Sequence, residues 1–270
     1  MLNCGRFWQP VAINRVIQPI LSSTQVVKVA TDLGVGFLKG MGNPAGNESL
    51  AQELVGSELA CAMGLRVPVF AVINVEGIDI QMESAGPIAF GPAFISRELR
   101  GSTSAGEDTF VRRLTNPEDI ARLVVFDTWV RNLDRCPPAD YLDPRPNRDN
   151  LFFTPVRRKF EMVVFDHTHC FVEEDLESGL AGAHFVGDDR VYGAFPEFKD
   201  FLTARALRNA LADLARIDGS VIREIVRAVP QPWGPTTAVR DRWIEQLMGR
   251  QQRVGDYVFN RLVPQIEMKV

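Results

Sequence analysis

The sequence predicts an α+β fold in two parts: a small antiparallel sheet with one helix over residues 1–100, and a mostly helical part over residues 101–270. Three observations predict it. Short β-branched and apolar runs crowd the first hundred residues, helical periodicity dominates the last third, and a polar, glycine-containing joint at 102–106 lies between them. With 270 residues, 46% hydrophobic, 24% charged and 9% aromatic, the chain is long enough for one large domain or two coupled parts with real cores.

Each element has its own signal. Residues 24–30 and 35–40 flank Thr31-Asp32-Leu33-Gly34, whose Asp and Gly supply turn chemistry, so the two runs form a hairpin. A helix follows: Asn47 can cap it, Glu48 suits its positive end, and Leu50, Leu54, Leu59 and Met63 recur at helical spacing until Gly64 stops it. Residues 67–75 and 89–96 read as strands, punctuated by Gly77 and Gly86-Pro87. Asn116-Pro117-Glu118-Asp119 starts a helix that turns Ile120, Leu123, Val124 and Val130 inward and runs to about Asn132. Two short strands, 152–154 and 161–165, surround the basic turn Arg157-Arg158-Lys159. Helices at about 199–217, 219–228 and 236–263 are broken by Pro230, Pro232 and Pro235, with Trp233 a packed anchor between them. Hairpin, helix, two strands, joint and helical part is the layout of a two-lobed ATP-grasping kinase.

Composition excludes several classes. Thirty Lys+Arg against 34 Asp+Glu give a net charge of −4, no field for a nucleic-acid backbone or an anionic membrane, so no direct nucleic-acid partner is expected. The longest uncharged stretch of the first half, 84–96, is 13 residues and carries Gly86, Pro87, Gly91 and Pro92, too short to cross a bilayer. The start MLNCGRFWQP has no apolar core of a secretory signal, and a cytoplasmic protein is expected. Cys4, Cys61, Cys136 and Cys170 form no CxxC pair and are expected to be free thiols in a reducing compartment.

Phosphoryl transfer asks a protein for positioning and charge neutralisation: a strand lysine, its acidic orienter, a carboxylate near the acceptor hydroxyl, and metal ligands. Lys39 ends the run Val35-Gly-Phe-Leu-Lys39; it is either an edge lysine in water or a charge justified by a ligand. Glu53, on the following helix, is its candidate partner, or a solvated acid as Glu58 is expected to be. Three segments cluster further chemistry: Phe126-Asp-Thr-Trp-Val-Arg-Asn-Leu-Asp-Arg135, Asn147-Arg-Asp-Asn-Leu-Phe-Phe153 and Val163-Val-Phe-Asp-His-Thr-His-Cys170. Asp134 can orient an acceptor hydroxyl while Asn150 and Asp166, hard oxygen donors, hold Mg²⁺; singly, each is equally a turn or cap residue.

Together FLKG, QELVGSELACAMGLRVP, FDTWVRNLDR, NLFF and VVFDH, in this order over about residues 20–200, resemble the HipA-like kinases, distant relatives of protein and phosphatidylinositol kinases. The resemblance implies a bilobal protein-kinase-like fold, a small antiparallel-sheet N-lobe with one helix and a mostly helical C-lobe, and the use of ATP and Mg²⁺ to phosphorylate serine or threonine of a protein. It implies that Lys39 meets the ATP phosphates, Glu53 pairs with it, Asp134 is the catalytic aspartate and Asp166 a metal ligand. Some members act as toxins paired with a DNA-binding antitoxin, so an antitoxin-like partner is an option.

The sequence departs from the pattern in three places. Residues 136–146 intervene between Asp134 and the metal asparagine, leaving Asn147 or, preferred because it leads into Leu151-Phe-Phe, Asn150. The phosphate-covering loop, Pro19-Ile-Leu-Ser-Ser-Thr24, has no glycine; Ser22 and Ser23 are its candidate phosphate contacts, sites of autophosphorylation, or turn caps. Thr168 stands where the pattern has a flexible glycine. A kinase-shaped binding protein with weak transfer is therefore the alternative, and a metal hydrolase using His167, His169 and His184 a more remote one. Glu173, Glu174, Asp175 and Glu177 read as a solvated loop or, alternatively, as a selector of basic substrates.

Overall fold

The computed structural model describes residues 8–103, 110–142 and 144–267. Five antiparallel strands, β1 (Ile13–Pro19), β2 (Val27–Thr31), β3 (Gly34–Met41), β4 (Phe70–Val75) and β5 (Ala89–Arg97), lie in the order β1-β2-β3-β5-β4, with α1 (Glu48–Ala62) joining β3 to β4. The expected hairpin pairs Thr31 with Gly34. It begins at Val27 rather than residue 24, because Gln25 turns back with a positive φ of 51° and bonds its N–H to Ser22 O at 3.1 Å. Strand β1 was not anticipated. It pairs on one side only, and its polar Asn14, Arg15 and Gln18 mask the period of two.

The sheet has two unlike faces. Val27, Val29, Leu38, Ala93 and Ile95 close one core with Trp8, Ile80 and Met82, while Phe94 points the other way into the core that α1 shares with the rest of the chain. Residues 49–60 of α1 are all buried, so the helix shows no single apolar stripe, and Glu58, expected in water, is buried with the rest. Asn47 does not cap α1 with its side chain; its Oδ1 instead accepts from Gly42 N at 3.0 Å. Cys136 and Cys170 are free and buried, but Cys61 is disulfide-bonded, which corrects the expectation of free thiols and removes it as an argument for a reducing compartment.

A second, three-stranded sheet follows: β6 (Ser102–Thr103), β7 (Leu151–Val156) and β8 (Lys159–Val164). Residues 104–106 of the expected joint lie outside the described residues. Helix α2 (Glu118–Val130) starts where the Asn-Pro-Glu-Asp signal puts it, but Pro117 holds the cap position and Asn116, the expected cap, instead accepts from Met162 N at 2.9 Å through its Oδ1; the helix ends two residues early, where Arg131 enters the left-handed region at φ 52°. The helices α3 (Leu176–Gly179), α4 (His184–Gly187), α5 (Ala204–Ala215), α6 (Gly219–Arg227) and α7 (Thr237–Glu267) complete the chain. The helix expected from residue 199 starts only at Ala204, because Pro196 opens a 3₁₀ turn and Thr203 then caps α5 by accepting from Ala206 N.

Four side chains tether these elements to one another. Trp129 Nε1 of α2 donates to Leu247 O of α7 at 2.9 Å, and the buried Arg250 donates to Thr128 O at 2.9 and 2.7 Å. Trp233 is fully buried among its prolines and donates to Pro92 O of β5 at 2.9 Å, so the interhelix anchor grips the sheet. Glu48 at the start of α1 accepts from Leu176 N at 2.8 Å. Among the described residues no helix is long and apolar enough to cross a membrane.

Candidate functional site

Strand β3 places Lys39 opposite Phe94 on the face that looks toward α1, where only 8% of the residue is exposed. A buried ammonium needs partners. Lys39 Nζ donates to Glu53 Oε2 of α1 at 2.7 Å, to Asp166 Oδ1 at 2.8 Å and to Thr168 Oγ1 at 3.0 Å. Glu53 Oε2 also accepts from His167 N at 3.0 Å and from the Thr168 hydroxyl at 2.9 Å. The threonine in place of a glycine thus acts as a bridge, accepting from Lys39 and donating to Glu53. Backbone freedom is needed two residues earlier, at Asp166, which holds φ 57°; aspartate tolerates that region better than most side chains. Burial opposes the Lys39 charge, but the Asp166 and Glu53 carboxylates outweigh it and hold its pKa above the ordinary lysine value. Burial likewise opposes the Glu53 charge, yet Lys39 and the His167 hydrogen bond hold its carboxyl well below the usual range.

His167 packs between Phe126 and α1, fully buried, and burial lowers its pKa. A Cβ on Gly56 would stand 2.4 Å from His167 Cβ, so the glycine in the middle of α1 clears the space that the histidine fills. His169 turns outward to Ser23, at 3.5 Å from its Oγ, and His184 sits exposed on α4. The two imidazoles of His-x-His do not share a face, since they follow β8 in a turn, and no cluster of three or more His, Cys, Asp or Glu side chains able to hold a metal occurs among the described residues. Burial also pushes the Cys136 thiol up to about 12 and raises that of Cys170, so neither is an activated nucleophile.

The Asp134 segment takes its shape from the turn that ends α2. Asn132 N bonds back to Asp127 O at 3.0 Å, and Asn132 Oδ1 accepts from Asp134 N at 3.2 Å and Arg135 N at 3.3 Å. Asp134 Oδ2 accepts from Asn150 Nδ2 at 2.6 Å, and Oδ1 from Asn147 Nδ2 at 3.4 Å. The insert is bracketed at its base, where Asn147 N meets Arg135 O at 2.8 Å. Asn147 also caps the turn over Asp149, leaving Asn150 to enter β7.

Arg135 escaped sequence reasoning. It is fully buried, paired to the equally buried Asp127, and donates to Asn150 O at 3.3 Å and Phe165 O at 2.9 Å. One guanidinium therefore fixes the backbone beside Asp134, Asn150 and Asp166 together. Burial pushes the Asp127 carboxyl up, against the pull of Arg135. Only half of the pair carries a local signal: Asp127 stands inside the apolar run Phe126-Asp-Thr-Trp-Val, whereas Arg135 follows the polar Asn132-Leu133-Asp134 and nothing in its own segment marks it as buried.

The loop at residues 20–26 joins β1 to β2, rather than preceding the first strand. Ser22 Oγ serves the loop's own turn, accepting from Val26 N at 3.2 Å, whereas Ser23 reaches across to His169. A cavity of about 450 Å³ opens between α1, the Asp134 segment and the residues after Asp166. A larger cavity, about 720 Å³, lies beside the insert between Pro137 and Phe195 and includes none of the predicted site residues.

Among solved structures, the Helicobacter pylori proinflammatory kinase CtkA is similar, with TM-score 0.59 and 14% identity over 93% of this chain and 96% of that one. A chain of the Shewanella oneidensis MR-1 complex of toxin–antitoxin HipA, HipB and operator DNA gives TM-score 0.49 and 13% identity over 94% of this chain and 68% of that one. No curated protein matches in sequence. At such identities the CtkA likeness establishes a kinase fold and nothing finer. The family model for HipA-like kinases, however, matches residues 29–253, a span that takes in Lys39, Glu53, Asp134, Asn150 and Asp166 alike, and the chain belongs to the HipA-like kinase family.

Proposed function

We propose that this kinase transfers the γ-phosphoryl group of ATP to a serine or threonine hydroxyl of a protein, with Mg²⁺. The division at residue 100 belongs to the same proposal, residues 1–100 holding nucleotide and 101–270 supplying the catalytic and metal-binding side chains. The observation that carries it is the buried Lys39, held between the carboxylates of Glu53 and Asp166 from distant parts of the chain. Lys39 would meet the α and β phosphates in the place Glu53 fixes for it. Ser23, whose hydroxyl reaches across to His169 at 3.5 Å, is the better candidate for such phosphates than Ser22, whose hydroxyl accepts from Val26 N within its own loop.

The residues fit a hard cation. Asn150 gives its Nδ2 to Asp134 and keeps Oδ1, while Asp166 gives Oδ1 to Lys39 and keeps Oδ2, so two oxygens stay available, the number Mg²⁺ commonly takes from protein beside phosphates. When bound there, Mg²⁺ supplies neutralisation of the phosphate charge. Asp134 accepts the hydrogen bond of the acceptor hydroxyl. As that oxygen bonds to the γ-phosphorus, the bond to the bridging oxygen breaks, ADP leaves, and the hydroxyl proton passes to Asp134.

The test is turnover of ATP, or autophosphorylation, with Mg²⁺ by the purified chain and by Asp134→Ala. The variant should lose about 10²–10⁴-fold in rate while melting near the wild-type temperature; equal rates end the proposal. The glycine-free loop favours one other reading, a kinase-shaped protein that binds nucleotide without transfer, and saturable binding with no turnover in the wild type would identify it.

A further inference from the structure

The turn between β7 and β8 gathers cations that the fold does not balance. Val156 pairs with Lys159, so Arg157 and Arg158 make a two-residue turn, and all three basic residues are exposed. A 3₁₀ turn, Val111–Arg113, is laid beside them. Thr115 N bonds to Phe160 O at 2.7 Å, Arg113 donates through Nη2 to Arg158 O, and its guanidinium lies 5.6 Å from the centre of the Phe160 ring. Arg112, next to it, is exposed as well. None of Arg112, Arg113, Arg157, Arg158 and Lys159 forms an ion pair with a described residue, and Glu161, the acid nearest to the turn along the chain, pairs with Arg66 at 3.4 Å. The arrangement costs the fold twice. Neighbouring like charges repel, and Arg157 holds φ 56°, although the first residue of a two-residue turn with positive φ is ordinarily glycine.

We propose that this tip is a docking surface for a short acidic segment of a partner protein, one in which aspartates or glutamates are clustered. Carboxylates arriving there offset the repulsion, and the planar fork of arginine takes a carboxylate through two parallel hydrogen bonds. Val156, 39% exposed beside the turn, adds an apolar contact next to the charges. A long polyanion fits less well. A nucleic-acid strand or an anionic membrane also meets the rest of a chain whose net charge is −4. A segment of a few residues meets the tip alone, because exposed charges more than about 8 Å away are screened at physiological salt. The surface is also separate from the candidate site. Strands β7 and β8 are six residues long and have Asn150 and Asp166 at their other end, so the tip lies roughly 20 Å from both.

The experiment follows the fluorescence anisotropy of a labelled oligoglutamate peptide added to the full chain, with an oligoserine peptide as the blank. The glutamate peptide should bind saturably, more weakly as salt is raised, and a non-hydrolysable ATP analogue with Mg²⁺ should not displace it. Arg157→Glu combined with Arg158→Glu and Lys159→Glu should weaken it about tenfold or more, the sum of several exposed ion pairs. Arg208→Glu, an equally exposed change on α5, should leave it as in wild type. Arg157→Gly should weaken the peptide about twofold yet melt no lower than wild type, since glycine adopts positive φ freely and one repelling charge is gone. A merely structural turn does not give that combination. No binding of the glutamate peptide, equal loss in Arg208→Glu, or displacement by the nucleotide analogue overturns the inference. So does a labelled oligonucleotide, or a vesicle of phosphatidylserine and phosphatidylcholine, that wild type binds more tightly than the peptide and the triple variant does not, because the tip then serves another class of partner.

Discussion

The ammonium side of the site and the hydroxyl side differ in how much of their bonding capacity the protein itself uses. Around Lys39, three acceptors lie within 3.0 Å of one nitrogen, and a single oxygen of Glu53 accepts from Lys39, His167 and Thr168. Around Asp134, two asparagine amides approach at 2.6 and 3.4 Å, and an open cavity borders the carboxylate. The first arrangement is a structural member of the fold as well as a ligand site, because neither buried charge can exist without the other. The second is anchored from behind, through Arg135, and keeps lone pairs for what arrives. Substitution should therefore cost stability on one side and function on the other.

The largest effect expected is that of Lys39→Met. It leaves Glu53 as a buried, unpaired charge and should cost about 3–5 kcal/mol of stability along with turnover, read from urea unfolding and ATP hydrolysis. Asp134→Asn should stay within about 1 kcal/mol of wild type, as surface-facing changes do. The double variant Lys39→Met with Glu53→Gln should regain part of the loss, since the orphaned charge is gone. Equal destabilisation by Lys39→Met and Asp134→Asn would break the comparison.

Acid should expose the same contrast. The Glu53 carboxyl titrates well below its ordinary value of 4.5 when folded, so between those pH values the unfolded chain binds the proton and the folded chain does not. Its contribution is present at neutral pH and is lost as the pH falls below about 4.5. The stability advantage of wild type over Glu53→Gln should shrink by about 2 kcal/mol between pH 7 and pH 3. An advantage that does not change with pH would mean that Lys39 stabilises Glu53 no more than water does.

The two sides were also unequally legible in the sequence. Lys39, Glu53 and Asp166 stood out because a charge inside an apolar run needs a reason, and the structure supplies it with short ion pairs. The hairpin, α1, α2 and the β7–β8 pair were legible from turn residues, stops and proline starts. Arg135 was not, because its partners are a side chain eight residues back and two backbone carbonyls far along the chain, which no local period encodes. Strand β1 hid because an edge strand wets both faces, and the burial of Glu58 hid because α1 is covered from two directions. The role of Thr168 was misjudged in kind: position and pattern suggested lost flexibility, whereas its hydroxyl completes the Lys39 shell.

The smallest effect expected separates the two asparagines. Asn147 is committed to the turn, its Oδ1 accepting from Asp149 N at 3.2 Å, and it reaches Asp134 only at 3.4 Å. Asn150 is held firmly by one end, its amide nitrogen on Asp134 and its carbonyl under Arg135, and its side-chain oxygen is left over. If that oxygen is a metal ligand, Asn150→Ala should raise the Mg²⁺ concentration for half-maximal nucleotide binding about tenfold, close to 1.4 kcal/mol, and Asn147→Ala about twofold. Titration of Mg²⁺ at fixed nucleotide, followed by nucleotide fluorescence, reads both. The opposite order would transfer the metal role to Asn147, and the motif would then resume three residues earlier, directly at the close of the insert.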